Sequence, residues 1–259
     1  MKLLVTGGCG FIGSNFIRHI LKSKPGCSVV NLDLLTYAGN LENLSDIENH
    51  PGYKFVKGDI ADIELVNELM SPGPDSEKPD AVINFAAESH VDRSLYDPAA
   101  FLRTNLVGVQ VLLDACLKNK IELFVQVSTD EVYGSVASRK KFREDAPLNP
   151  SSPYSSSKAG ADLLALSYFK TFKLPVIITR GTNNFGPYQF PEKLIPLFIT
   201  NAMDDRSLPL YGDGKHIRDW LYVEDHCRAL EIILRKGKPG QIYNVSSHNE
   251  KTNREVTSA

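Results

Sequence analysis

A tyrosine and a lysine four residues apart, Tyr154 and Lys158, stand one loop after a hydroxyl and two consecutive carboxylates, Thr129-Asp130-Glu131. Spaced by four, the phenol and the ammonium share one face of a helix, and a nearby cation favours ionisation of a phenol whose ordinary pKa is near 10. That pair can take the proton of a sugar hydroxyl, which Ser128 or Thr129 can hold. Asp130 and Glu131 can then carry out a second proton transfer that simple alcohol oxidation does not need. The chemistry expected is oxidation, elimination and re-reduction in one pocket.

Such groups need a rim to stand on. Phe124 to Thr129 is an apolar run that ends abruptly in polar residues, the pattern of a strand leaving a sheet at the edge where open α/β sheets bind ligands. Neighbouring residues on an extended strand face opposite sides, so Asp130 and Glu131 reach one substrate only if the chain coils after Thr129, which Gly134 permits. Pro153 restarts the chain, and helical spacing through Leu163, Leu166 and Phe169 places Tyr154 in a first turn.

A second apparatus lies at the N-terminus. A short buried strand, Leu3 to Thr6, meets Gly7, Gly10 and Gly13 and then a helical pattern carrying Phe16, Ile17, Ile20 and Leu21. Gly7 allows the tight turn, Gly10 lets a pyrophosphate approach the backbone, and Gly13 lets helix pack on strand, with phosphates at the helix N-terminus. The next apolar run ends in Asp33, placed to accept from ribose hydroxyls and to repel a 2′-phosphate, so NAD is expected over NADP. Asp59, after a third strand (Tyr53 to Lys57), suits either an adenine amino group or a plain turn. Ala86 and Ala87, after a fourth strand (Ala81 to Phe85), let a flat cofactor lie against the backbone, with Ser89 within reach of substrate. His90 reads as a packed, hydrogen-bonded residue, and His216, His226 and His248 receive no role.

Composition bounds the rest. The chain has 259 residues, 42% hydrophobic, with a net charge of -2, which favours a globular α/β protein and gives no basic field for nucleic acid or a membrane surface. Met1 to Thr6 runs straight into glycines and leaves no room for a signal-peptide apolar region, so a cytoplasmic location is expected. Cys9, Cys27, Cys116 and Cys227 are scattered and read as free thiols, and no ligand spacing suggests a metal. Arg139, Lys140, Lys141 and Arg143 read as a solvated cluster. Asp97-Pro98 is a strong helix start, and Phe101, Asn105, Val109, Leu112 and Cys116 share one face of the helix it opens. Leu106 and Leu113 add a second apolar side, which suggests a partner helix and hence a homodimer. The sixth strand is expected at Pro175 to Arg180, a helix at Val223 to Leu234 and a last strand at Gln241 to Val245.

The motifs TGGCGFIG, AAESHVDRS, STDEVYG, NNFGPYQFPEKLIP and DGKHIRDWLYVEDH, with Tyr154 and Lys158, resemble the extended short-chain dehydrogenase/reductase superfamily. Within it they resemble the dTDP-glucose 4,6-dehydratase family. The resemblance implies a Rossmann-type doubly wound parallel sheet at 1–180. It also implies a smaller, C-terminally incomplete nucleotide-sugar-binding part at 181–259, interleaved with the first. By the same resemblance NAD stays bound, Tyr154 takes the proton of the sugar 4-hydroxyl, and Lys158 orients the nicotinamide ribose and lowers the tyrosine pKa. Thr129 holds the 4-oxygen, Glu131 removes the C5 proton, and Asp130 protonates the leaving 6-hydroxyl, giving a 4-keto-6-deoxy sugar. The cofactor-contacting set is Gly7, Gly10, Phe11, Ile12, Gly13, Asp33, Thr36, Asp59, Ile60, Phe85, Ala86, Ala87, Thr104, Tyr154, Lys158 and Asn184. For the substrate the set is Ser89, Thr129, Asn183, Glu192, Lys193, Leu194, Pro209, Tyr211, Arg218 and Asn253, with Trp220 read as core.

Leu34 departs from the family's usual lysine after Asp33, which implies weaker NAD retention, and the family normally continues past the position of Ala259. Two other functions stay open: a UDP-sugar 4-epimerase or decarboxylase, and a catalytically silent NAD-binding scaffold. Elimination of water needs an acid and a base at neighbouring carbons, and epimerisation needs neither, so the adjacent acids favour the dehydratase.

Overall fold

Short apolar runs alternate with amphipathic ones, and the computed structural model, which describes residues 1–73, 77–135, 141–210 and 212–258, turns that alternation into parallel strands and crossover helices. In chain order the first half comprises β1 (Lys2–Thr6), α1 (Phe11–Ser23), β2 (Ser28–Asp33), β3 (Tyr53–Lys57), α2 (Ile63–Met70), β4 (Ala81–Asn84), α3 (Val91–Tyr96), α4 (Pro98–Leu102) and α5 (Val109–Lys118). It continues with β5 (Leu123–Thr129), α6 (Pro153–Phe172), β6 (Val176–Gly181), β7 (Asn183–Phe185), α7 (Leu194–Met203), β8 (Ile217–Tyr222), α8 (Val223–Lys236), β9 (Ile242–Val245), β10 (Glu250–Thr252) and α9 (Asn253–Thr257).

The large sheet has seven strands in the order β3-β2-β1-β4-β5-β6-β9, every neighbouring pair parallel. Strand order reverses between β1 and β4, so their C-terminal ends splay into the crevice where such sheets bind ligands. Both faces are covered. Phe16, Ile17 and Ile20 of α1 and Leu230 and Ile233 of α8 pack on one, against Val5, Val125 and Ile177. On the other, Val66, Met70, Leu112, Cys116, Ala161 and Ala165 of α2, α5 and α6 pack against Leu4, Phe124 and Ile178.

Several expectations are corrected. Leu163, assigned to the apolar face of the helix after Pro153, is 59% exposed, and Ala161 and Ala165 do the packing there. Leu113 is fully buried within the chain, so it is not surplus apolar surface. The run from Asp97 is not one regular helix, because Arg103–Gly108 forms a wide π turn between α4 and α5. Asn105 within it donates to the Glu88 carbonyl (3.0 Å) and to Ser157 Oγ (2.9 Å), which holds the turn open toward α6. β9 is not the last strand: β10 pairs antiparallel with β8, and β8 pairs in parallel with β7, giving a second sheet of three strands. Arg139, Lys140 and Tyr211 lie outside the described residues.

Candidate active site

One cleft at the C-terminal ends of β1, β4 and β5 gathers both sets of chemistry-bearing residues. At its N-terminal end, α1 begins at Gly10 without a side-chain cap and without an acidic residue in its first turn, so its free backbone N–H groups face the cleft. A Cβ on Gly7, whose φ is +69°, would sit 2.5 Å from the Ala86 nitrogen, and one on Gly13 would sit 2.4 Å from the Gly7 carbonyl. These contacts hold the loop tight against β4 and the start of α1, and leave Gly10 on the cleft wall with no side chain between a pyrophosphate and the backbone. Asp33 closes the end of β2; its two oxygens accept from the Cys9 and Leu35 backbone N–H groups, each at 2.8 Å, leaving lone pairs for ribose hydroxyls. A 2′-phosphate there would stand beside a buried carboxylate, so the residues present fit NAD. Phe11, Ile12, Thr36, Ile60, Phe85, Ala86, Ala87, Thr104 and Asn184 line the same cleft. Asp59 lines it too while its Oδ1 accepts from the Ala61 N–H (2.8 Å) and its Oδ2 pairs with Arg103 (2.9 Å), so turn and cleft roles coexist.

At the other end, β5 stops at Thr129 and coils at once into a 3-10 turn, Asp130–Tyr133, capped by Thr129 Oγ1 accepting from the Glu131 N–H at 3.2 Å. The coil puts Thr129, Asp130 and Glu131 on one cleft wall, as the strand geometry required. Gly134 (φ +78°) ends the turn where any Cβ would strike the Asn149 carbonyl. Ser152 caps α6 through a reciprocal capping box with Ser155, and Pro153 starts the helix, which sets Tyr154 in the first turn where it lines the cleft. One turn on, Lys158 is buried and donates to the Val127 carbonyl at 2.8 Å.

Burial dominates the electrostatics. It pushes Asp130 up to about 6, with Glu131 beside it acting the same way and Thr129 and Arg218 opposing. Glu131 is also raised by burial, while Arg218 and then Lys193 pull it down. Lys158 falls to about 8 through burial, Asp162 opposing. The Tyr154 phenol is raised, by burial first and then by Glu131, with a hydrogen bond to Thr129 opposing. Lys158, expected to lower it, donates to the Val127 carbonyl.

On the wall formed after β6, Asn183, Glu192 and Lys193 line the cleft, with Ser89 across from them. Leu194, Pro209, Arg218 and Asn253 do not line it, although Arg218 on β8 is near enough to stabilise both Asp130 and Glu131 as anions. Trp220 is buried, in keeping with a core role. His90 caps α3, its Nδ1 accepting from the Arg93 N–H (3.3 Å), which leaves the Nε2 proton for Glu192 (3.3 Å). Sequence reasoning missed Tyr37, Phe190 and His226. Tyr37 lines the cleft with its ring 3.9 Å from the Arg93 guanidinium and edge-on to Phe190. His226 is buried on the inner face of α8 and donates from Nδ1 to Asn184 Oδ1 (2.9 Å), since Asn184 Nδ2 already donates to the Thr182 carbonyl. Burial holds its pKa down to about 4, so it stays neutral. A histidine in register with Val223, Cys227 and Leu230 was the available signal.

Comparison with known proteins agrees with this geometry. A family model described as GDP-mannose 4,6 dehydratase matches residues 4–259. Low-salt glycan biosynthesis protein Agl12 of Haloferax volcanii is 53% identical over 257 residues, covering 99% of this chain and 80% of its own. A dTDP-glucose 4,6-dehydratase of Streptomyces antibioticus is 50% identical over 262 residues, covering 99% of this chain and 75% of its own. The crystal structure of dTDP-glucose 4,6-dehydratase from Bacillus anthracis in complex with NAD superposes with a TM-score of 0.92 at 50% identity, covering 100% of this chain and 79% of that one.

Proposed function

We propose, from the premise that this chain belongs to the GDP-mannose 4,6-dehydratase family of nucleotide-sugar enzymes, that it is an NAD-dependent dTDP-glucose 4,6-dehydratase. The observation that carries the reading is the 3-10 turn after β5, which sets two acids side by side on the wall of the cleft that also holds Tyr154 and Lys158. NAD, when bound, supplies a two-electron oxidation at the sugar C4 and returns the same electrons at C6.

In this reading the chain's own groups handle protons and position. Thr129 holds the 4-oxygen and Tyr154 takes its proton. The C4 ketone acidifies C5, whose proton passes to Glu131. Asp130 is suited to deliver a proton because its pKa, held up near 6, keeps the carboxyl protonated closer to neutrality, and it protonates the departing 6-hydroxyl. Asn183, Glu192, Lys193 and Ser89 form the sugar-nucleotide wall, and Arg218 faces the diphosphate from β8. Residues 1–180 serve mainly the cofactor and 181–259 the nucleotide sugar, with α8 and β9 returning to the large sheet. Incubation with dTDP-glucose should yield a product lighter by one water, detected by mass spectrometry, faster than with UDP-glucose. No loss of water from either donor overturns the reading.

The enzyme is further proposed to be a homodimer. The helical run Pro98–Lys118 has a mean hydropathy of 1.4 yet is only half buried by its own chain. Leu95, Tyr96, Leu102 and Val107 stay exposed on this run and the helix before it, as does Leu163 on α6. Sedimentation equilibrium should give twice the chain mass, and Leu102→Glu with Val107→Glu should give the monomer. A wild-type monomer at all concentrations sinks this part.

A further inference from the structure

Between the two catalytic elements lies a buried polar chain to which the proposed mechanism assigns no part. Asp162 sits one helical turn after Lys158 on α6 and is fully buried, and its Oδ2 accepts from Arg180 Nε at 2.9 Å. Arg180, on β6, is 2% exposed. Its NH1 donates to the Tyr133 hydroxyl (2.8 Å), which donates in turn to Asn244 Oδ1 (2.7 Å) on β9, the residue in register with Arg180 across the sheet. The guanidinium also stands 4.8 Å from the Tyr133 ring centroid. Tyr133 belongs to the same 3-10 turn as Asp130 and Glu131.

A buried ion pair is weak evidence for stability, because desolvating both ends costs about as much as their attraction returns and an apolar pair often does as well. What the guanidinium supplies is a rigid fork: one nitrogen is fixed on the helix of Tyr154 and Lys158, another on the turn of the two acids. Without the fork the turn would rest on Val132 and Tyr133 packing against Ala159 and Phe142, on the Tyr133 hydroxyl bonded to Asn244 Oδ1, and on the Asn149 N–H bonded to the Val132 carbonyl. Among the described residues none of those contacts is a hydrogen bond between the turn and α6, which the fork alone supplies.

We propose that Arg180 is a positioning residue that holds the acid-bearing turn in register with the tyrosine-bearing helix, so that oxidation at C4 and elimination across C5–C6 act on one substrate pose. The inference rests on the dehydratase reading for its consequence, though not for its structural content.

Tyr133→Phe cuts the link at one oxygen and leaves the Arg180–Asp162 pair intact. Two readouts test it. In hydrogen–deuterium exchange, amides of Asp130–Tyr133 should exchange faster than in wild type while those of α6 keep their protection. In single turnovers with dTDP-glucose, the rate of C4 oxidation should hold while water loss slows on the order of 10- to 100-fold, the cost of misplacing a catalytic group by about an ångström. Arg180→Lys keeps the charge facing Asp162 but cannot reach both partners, and should show the same split. Unchanged exchange in the turn overturns the inference, and so does an equal fall in both partial reactions. Wild-type enzyme that removes no water refutes the dehydratase reading instead, and the exchange comparison still judges the link.

Discussion

Glu131→Gln should oxidise dTDP-glucose at C4 and then stop. Glutamine keeps the shape of the turn and the hydrogen bond from its backbone N–H to Thr129, while removing one of the two adjacent carboxylates on that wall of the cleft. With no base for the C5 proton, water loss should fall by about 10²- to 10⁴-fold, the usual range for a positioned general base. The C5 proton gives an independent readout. Wild type run in deuterated solvent should place deuterium at C5 of the product and none at C6, which receives the hydride taken from C4, and the variant should leave C5 untouched while the reduced-cofactor absorbance persists. Water loss at the wild-type rate would remove Glu131 from the role, and loss of C4 oxidation as well would mean that the substitution had disturbed the whole site.

The assignment of acid and base depends on a difference between adjacent side chains. Both carboxylates are raised by burial, but Asp130 also feels Glu131, whereas Glu131 is drawn down by Arg218 and Lys193. Asp130 is thus held up near 6, close enough to neutrality to deliver a proton, while Arg218 and Lys193 favour the anion of Glu131, which is the division that elimination at neighbouring carbons requires. None of this was legible from Asp130-Glu131 as a dipeptide. What was legible was that the strand must coil after Thr129 to present both, and the 3-10 turn with Gly134 at a left-handed φ is how it does so.

The parts read correctly from sequence are those whose signal is local. Short apolar runs marked β1, β4, β5 and β6, because burial on both faces leaves a nearly uninterrupted apolar signature, whereas edge strand β3 carries Lys54 and Lys57 and is partly exposed. The small sheet left none, since β7 and β10 are three residues each and are made strands only by pairing with β8. The π turn was hidden for a related reason. Phe101, Asn105, Val109 and Leu112 keep a helical spacing, and it is the tertiary bonds of Asn105 to Glu88 and Ser157 that widen the turn. Arg180 was legible only as the end of the expected sixth strand; that it bridges α6 and the acid-bearing turn depends on contacts 18 and 47 residues away in sequence.

Tyr154→Phe should abolish C4 oxidation itself, by about 10²- to 10⁴-fold, since the variant loses the group placed to accept the 4-hydroxyl proton. The pH dependence of the wild-type step separates the tyrosine from a simple low-pKa base. Burial and then Glu131 hold the phenol above its ordinary range, and burial lowers Lys158 to about 8. As pH rises, the first proton to leave the pair therefore comes from the ammonium near pH 8. Moving the remaining phenolic proton onto that amine gives the phenolate–ammonium form at the same net charge, so the active form titrates with the apparent pKa of the pair and not with that of the phenol alone. The oxidation rate should climb about tenfold per unit below that pKa and level off above it. Lys158→Met should abolish the inflection and push the rise into strongly alkaline solution, where the isolated phenol ionises. An unshifted inflection in Lys158→Met, or wild-type oxidation by Tyr154→Phe, would place the proton-accepting group elsewhere.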